Sequence, residues 1–153
     1  MDDALKAIRE TGLRLLARRE HSRLELFNKL TARGFEPRSI DTVLEQWLEQ
    51  GWLSDRRFAE SYARYRIAKG YGPNRIAYEL RQAGIENFDL DAFVHESAVS
   101  WLAIAHQVYE KKYSQTPILT RQEWARRRRF LLQRGFVGTL INALSDQLNL
   151  KFA

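Results

Sequence analysis

The sequence contains no cysteine, so disulfides, thiolate nucleophiles and cysteine-ligated metals are excluded. It has only three prolines, too few for a proline-rich linker or a disordered tail. No apolar stretch approaches membrane-spanning length, and no basic start leads into an apolar run. Neither membrane insertion nor a usual signal peptide is expected, and a reducing, cytoplasmic setting is. Alternation of period two is nowhere sustained, which argues against strands. His21, His95 and His106 are too dispersed to ligate a metal, and the His-Glu-x-x-His arrangement is absent. There is no glycine-rich phosphate loop and no Gly-x-Ser-x-Gly elbow. No catalytic residue, cofactor or metal is expected, and the chain does not read as an enzyme.

What is present is an internal repeat. Leu30-Thr31-Ala32-Arg33-Gly34-Phe35, Leu80-Arg81-Gln82-Ala83-Gly84-Ile85 and Leu131-Leu132-Gln133-Arg134-Gly135-Phe136 recur at a spacing of 50 to 51 residues. The register continues beyond each glycine, through Ile40, Leu90 and Ile141 and then Val43, Phe93 and Leu144. Such a period marks stacked helical units that share a core. Apolar residues make up 44% of the chain, enough for that core. We expect an all-α fold of three tandem three-helix repeats, stacked into a curved, elongated array. The units are approximately 1–53, 54–98 and 99–153. No low-complexity linker separates them, which argues against independently moving domains.

Helical spacing fills each unit. Leu5, Ile8, Gly12, Leu15 and Leu16 line a first helix that stops near Arg19. Ser22 and Glu25 form a capping box for a second, which carries Leu26 and Leu30 inward and ends at Gly34. Ile40, Val43, Leu44, Trp47 and Leu48 stripe a third, closed by Gly51. The next helix is capped at Ser54-Asp55, turns Phe58, Tyr62 and Tyr65 to one face and stops at Lys69-Gly70. Pro73 suits the first turn of its successor, where Ile76, Leu80 and Ala83 are buried. Leu90, Phe93, Val94 and Ser97 follow. Ser100 is the best cap before the helix of Trp101, Ala105 and Val108, a single continuous helix being the alternative. A longer loop from Ser114 to Leu119 leads to a second capping box, Thr120 with Glu123. Ile141, Leu144 and Leu148 close the chain.

Lys and Arg total 25 against 19 Asp and Glu, a net charge of +6, so a polyanion or an acidic protein face is a plausible partner. The sharpest cluster is Arg126-Arg127-Arg128-Arg129, with Arg134 on the same helix. Four consecutive residues cannot share one helical face. The repeat sets Arg127 where Leu26 and Ile76 stand, so either the register slips or an arginine is held at the core edge. A second cluster, Arg56, Arg57, Arg64, Arg66, Lys69, Arg75 and Arg81, is interleaved with Tyr62, Tyr65, Tyr71 and Tyr78. Tyr62 and Tyr65 fit core positions. Tyr71 either stacks on a base or packs on a neighbouring helix. Acidic residues collect elsewhere, as Asp41, Glu45 and Glu49 and as Glu86, Asp89, Asp91 and Glu96. Such segregation would let one side of a stacked array face a polyanion while the other is solvated or meets a basic partner. Pairing between the units' own helices is the simpler alternative.

Ser54-Asp55-Arg56-Arg57-Phe58-Ala59, then Lys69-Gly70-Tyr71-Gly72-Pro73 with Ile76, Glu79-Leu80 and Gly84-Ile85, resembles the central motif of the RecX family. The resemblance extends upstream through Arg19-Glu20-His21-Ser22 with Glu25-Leu26 and Lys29-Leu30. Downstream it takes in Arg129-Phe130-Leu131-Leu132 with Arg134-Gly135-Phe136, so it spans nearly the whole chain. It implies a regulator of the recombinase RecA that binds the filament groove on single-stranded DNA. Such a protein inhibits strand exchange, ATP hydrolysis and coprotease activity, and family members also bind DNA directly.

The expected partners are therefore the RecA filament and single-stranded DNA, with double-stranded DNA a further candidate and no membrane. The candidate contact residues are Arg57, Arg64, Lys69, Tyr71, Arg75, Arg81, Arg126, Arg127, Arg128, Arg129 and Arg134. Three stacked units need no partner to bury their faces, so a monomer is expected, a view that exposed Trp52 or Trp124 would weaken. The alternatives are a sequence-independent nucleic-acid-binding module and a helical protein-interaction scaffold.

Overall fold

The computed structural model describes residues 2–113 and 117–153, so the Ser114 to Thr116 part of the expected loop lies outside the described residues. Among them are nine helices: α1 (Asp2–Arg18), α2 (Arg23–Ala32), α3 (Pro37–Gln50), α4 (Asp55–Ala68), α5 (Pro73–Gln82), α6 (Leu90–Glu96), α7 (Trp101–Lys112), α8 (Arg121–Gln133) and α9 (Gly138–Gln147). Two short strands, β1 (Ile118–Leu119) and β2 (Lys151–Phe152), pair in parallel.

The repeated glycines end helices by one device. Phe35, Ile85 and Phe136 each donate a backbone N–H to the carbonyl five residues back, on Leu30, Leu80 and Leu131. The intervening glycines have φ of +92°, +85° and +99°, the left-handed side that a Cβ disfavours. Starts are equally local. Ser22 and Glu25 form the reciprocal capping box. Thr120 accepts from the Glu123 N–H, but the second half of that box is replaced, because the Glu123 carboxylate is held by Arg126 and Arg127. Ser100 caps α7, and Ala98 with φ +61° lies in the break that keeps α6 and α7 separate.

The chain divides into two compact units, the first of residues 1–62 and 80–88 and the second of 63–79 and 89–153. In the first, Ile8 and Leu15 of α1, Leu26 and Leu30 of α2, and Ile40, Val43, Leu44 and Trp47 of α3 form the core with Leu53. Gly12 lets α1 lie on the Trp47 ring; a Cβ there would stand 2.7 Å from Cη2. Each such burial is worth about 1.5–3 kcal/mol, more than the exposed ion pairs around it. Arg23 crosses from α2 to Asp41 at 2.9 Å and Glu45 at 3.0 Å on α3, so the acidic face of α3 is partly neutralised within the unit. His21 is fully buried. Its Nδ1 lies 3.1 Å from the Arg19 carbonyl and its Nε2 2.8 Å from Lys29 Nζ. A neutral ring that donates from Nδ1 and accepts at Nε2 satisfies both contacts, and burial holds its pKa below the ordinary 6.5.

In the second unit Val94 of α6, Ile104, Ala105 and Tyr109 of α7, Leu131 of α8, Phe136, and Ile141 and Leu144 of α9 form the core. One sequence expectation needs correction. Tyr65 is 56% exposed, because the buried face of α4 follows Ala59 and Ala63 with Phe58, and Tyr65 falls at its edge. Trp52 is 55% exposed, the condition stated above as weakening the view that no partner is needed.

Candidate polyanion interface

The site is built on a junction of two turns within the second unit. After α4, Gly70 N–H bonds to the Ile67 carbonyl at 2.9 Å and Tyr71 N–H to the Arg66 carbonyl at 3.1 Å, which closes the helix. The chain then docks on the turn after α8. Gly72 N–H donates to the Arg134 carbonyl at 2.6 Å, and Asn74 N–H to the Gly135 carbonyl at 2.9 Å. Backbone meets backbone so closely that a Cβ on Gly72 would stand 2.7 Å from Gly135 C and Phe136 N. Arg134 completes the lock by donating from Nη1 to the Lys69 carbonyl at 3.0 Å.

Tyr71 sits half-buried at the centre of this junction. The guanidinium carbons of Arg66, Arg134 and Arg75 lie 3.8, 4.9 and 5.3 Å from its ring centroid, within cation–π range. Arg66 also holds Glu79 with two bonds of 2.9 and 3.0 Å, and Arg75 meets the same carboxylate at 3.2 Å. The Tyr71 ring thus packs against three guanidiniums of its own unit.

The junction fixes one wall of a cleft of about 530 Å³ lined by α4, α7 and α8. Its cations are Lys69, Lys111, Lys112 and Arg134; its apolar surface comes from Ile67, Ile104, Val108 and Phe130. A second hollow of about 420 Å³ shares Lys112 and Phe130 and adds Arg126, Arg129 and Glu123. Among the described residues no carboxylate lies within ion-pair distance of Lys69, Lys111, Lys112, Arg128, Arg129 or Arg134. Cations gathered without counter-charge repel one another and favour an anionic ligand. Lys111 and Lys112 gain from the last turn of α7, where the helix dipole favours positive charge.

The arginine run divides as helical geometry demands. Arg127 occupies the core register and is 8% exposed. It donates to the Tyr109 hydroxyl at 2.7 Å and to Glu123 at 3.1 Å. Burial alone would lower its pKa, but these two bonds outweigh it and raise the value. The register therefore holds, with an arginine at the edge of the core. Arg126 is exposed and shares Glu123 at 3.2 Å. Arg129 is exposed, and Arg128 is half-buried near Gly138.

Arg64 is exposed with its guanidinium 5.6 Å from the Phe93 ring. Arg57 and Arg81 belong to the first unit, where Arg57 pairs with Glu20 at 3.2 Å. Thus within the second unit Lys69 and Arg134 meet in one cleft and Arg126 and Arg129 line the hollow beside it, while Arg127 does not join them. Lys111 and Lys112 are cleft residues that the sequence reading missed. Their signal was the Lys111-Lys112-Tyr113 run at a helix end, overshadowed by the arginine run.

Fold and site together define a helical-repeat protein with a basic cleft. Family models for RecX match three times, as its first, second and third three-helix domains, over residues 9–46, 54–92 and 100–144. The chain belongs to the RecX family, which is regulatory and not enzymatic. It is 43% identical over 142 residues to the Regulatory protein RecX of Pseudomonas fluorescens, covering 93% of this chain and 92% of that protein. It is 43% identical over 140 residues to the Regulatory protein RecX of Halorhodospira halophila, covering 92% and 87%. The crystal structure of RecX from Lactobacillus salivarius superposes with a TM-score of 0.78 at 20% identity, over 97% of this chain and 99% of that one. No helix among the described residues is long and apolar enough to cross a membrane.

Proposed function

We propose that this protein inhibits the RecA recombinase by binding the RecA filament on single-stranded DNA, and that it lowers the filament's ATPase, strand-exchange and coprotease activities. The observation that carries this reading is the match of all three domains to the RecX family, whose resemblance ties the chain to RecA. The basic cleft supplies a physical route. A nucleoprotein filament is a polyanion, and a cluster of unneutralised cations speeds encounter and makes binding salt-sensitive.

The contact set we propose is Lys69, Lys111, Lys112, Arg126, Arg129 and Arg134 of the second unit, with Arg64 as an exposed neighbour in sequence. Arg127 is left out because its donors serve Tyr109 and Glu123. A second reading, sequence-independent DNA binding without RecA, is favoured by the same unneutralised charge. The two separate in one titration of RecA's single-stranded-DNA-dependent ATPase. Inhibition well below one protein per RecA, and unchanged by excess DNA, is the expected result. Inhibition that appears only when the protein coats the DNA, and vanishes as DNA is added, would support the second reading.

A further inference from the structure

The cleft is not lined as a nucleic-acid groove would be. Surfaces that hold single strands offer aromatic faces on which bases stack. Here the floor is aliphatic: Ile104 is buried, and Ile67 and Val108 are half-buried. The one aromatic lining residue, Phe130, is already engaged. Lys112 Nζ lies 4.0 Å and the Arg134 guanidinium 5.0 Å from its centroid, and Tyr113 meets it edge-on at 5.8 Å. Around this floor stand Lys69, Lys111, Lys112 and Arg134, with no acidic residue among the lining side chains.

An aliphatic pit ringed by cations is complementary to a carboxylate-rich segment with an aliphatic side chain. We propose that this cleft docks an acidic peptide segment of a protein partner. A leucine, isoleucine or methionine would be seated on Ile67, Ile104 and Val108, and flanking carboxylates would rest on Lys69, Lys111, Lys112 and Arg134. The guanidinium of Arg134 is pre-organised for this role by its bond to the Lys69 carbonyl. The aliphatic contact gives the site a selectivity that charge alone lacks, since a phosphate backbone has nothing to place on the floor. The proposal deepens the filament reading and rests on it only for the existence of a protein partner.

The test uses the full chain and fluorescence anisotropy, with RecA and DNA both absent. The probes are a short fluorescein-labelled acidic peptide with two central leucines, its analogue with alanines in their place, and a labelled oligothymidylate. The leucine peptide is expected to bind about tenfold or more tightly than the alanine analogue. Lys111→Glu with Lys112→Glu is expected to remove that binding, and both side chains are exposed, so circular dichroism should show an intact fold. Equal affinity for the two peptides would overturn the proposal. So would binding of the oligonucleotide alone, abolished by the same double variant. Because the assay contains no RecA, a failure here does not touch the filament reading, which falls only if RecA inhibition fails.

Discussion

The two units solve the same packing problem with a different balance of charge: the first holds 12 Lys and Arg against 12 Asp and Glu, the second 13 against 7. In the first, Arg19, Arg23 and Arg57 each reach a carboxylate, at 3.1, 2.9 and 3.2 Å, and Arg9 reaches Gln46. In the second, Lys69, Lys111, Lys112, Arg129 and Arg134 have no acidic partner among the described residues, although Arg66, Arg75 and Arg127 do. Even the core registers differ. Leu26 is fully buried on α2, whereas its counterpart on α8 is Arg127, kept charged by a phenol and a carboxylate. The whole net charge of +6 therefore lies in the second unit, although among the described residues each unit also holds cations with no carboxylate in ion-pair reach, Arg18, Arg33 and Arg38 among them in the first.

The sharpest way to break this comparison is at the equivalent glycines. A Cβ on Gly135 would stand 2.5 Å from Arg75 Cβ and 2.6 Å from Arg75 N, whereas nothing lies within 4 Å at Gly34. Gly135→Ala should therefore cost about 4 kcal/mol or more, strain plus lost docking. Gly34→Ala should cost only the backbone term, about 1–2 kcal/mol. Urea unfolding of the two variants checks this, and equal losses would mean that the turns of the second unit are not interlocked.

The core registers give a smaller effect. Arg127→Ala strands the Tyr109 hydroxyl and leaves the Glu123 carboxylate with Arg126 alone, and should cost about 2–3 kcal/mol. Arg127→Leu combined with Tyr109→Phe restores the apolar pattern of the first unit and should recover about half of that or more. A double-mutant cycle in thermal unfolding measures it.

The smallest effect concerns pH and sharpens the contrast from the other side. His21 has a folded pKa below 6.5, so between 6.5 and that lower value the unfolded chain binds a proton that the folded chain does not. Stability therefore falls as pH drops through this window. Glu25 continues the trend below 4.5: burial opposes its charge, but Arg19 and the Ser22 N–H outweigh that and lower its pKa. His21→Gln should flatten the upper part of the pH profile and leave the lower part. A profile unchanged by the substitution would mean that His21 is not the group titrating.

Features set by neighbours in sequence were legible before the structure. The glycine-terminated helices, the Ser22 cap and the Pro73 start all follow from spacing and local bonding, whereas spacing alone left Arg127 open between a slipped register and the core edge. The cleft was not, because Lys69, Lys111 and Arg134 come together only when α4, α7 and α8 pack. Tyr65 misled because its bulk drew attention from Ala59 and Ala63, the small residues that carry the face. The β1–β2 pair left no trace, since two-residue strands hold by backbone bonds such as Lys151 N–H to the Pro117 carbonyl. Gly72 read as part of a turn, and only the fold reveals that it admits a second backbone.

The central claim is that unneutralised cations of the second unit, and not the paired arginines of the first, carry the inhibitory contact. The direct test compares RecA ATPase inhibition by two charge reversals, Lys111→Glu with Lys112→Glu, and Arg57→Glu. The account predicts that the lysine variant loses inhibition by about tenfold or more in potency and that Arg57→Glu stays within about twofold of the parent protein. Full potency in the lysine variant, with loss in Arg57→Glu, would contradict it.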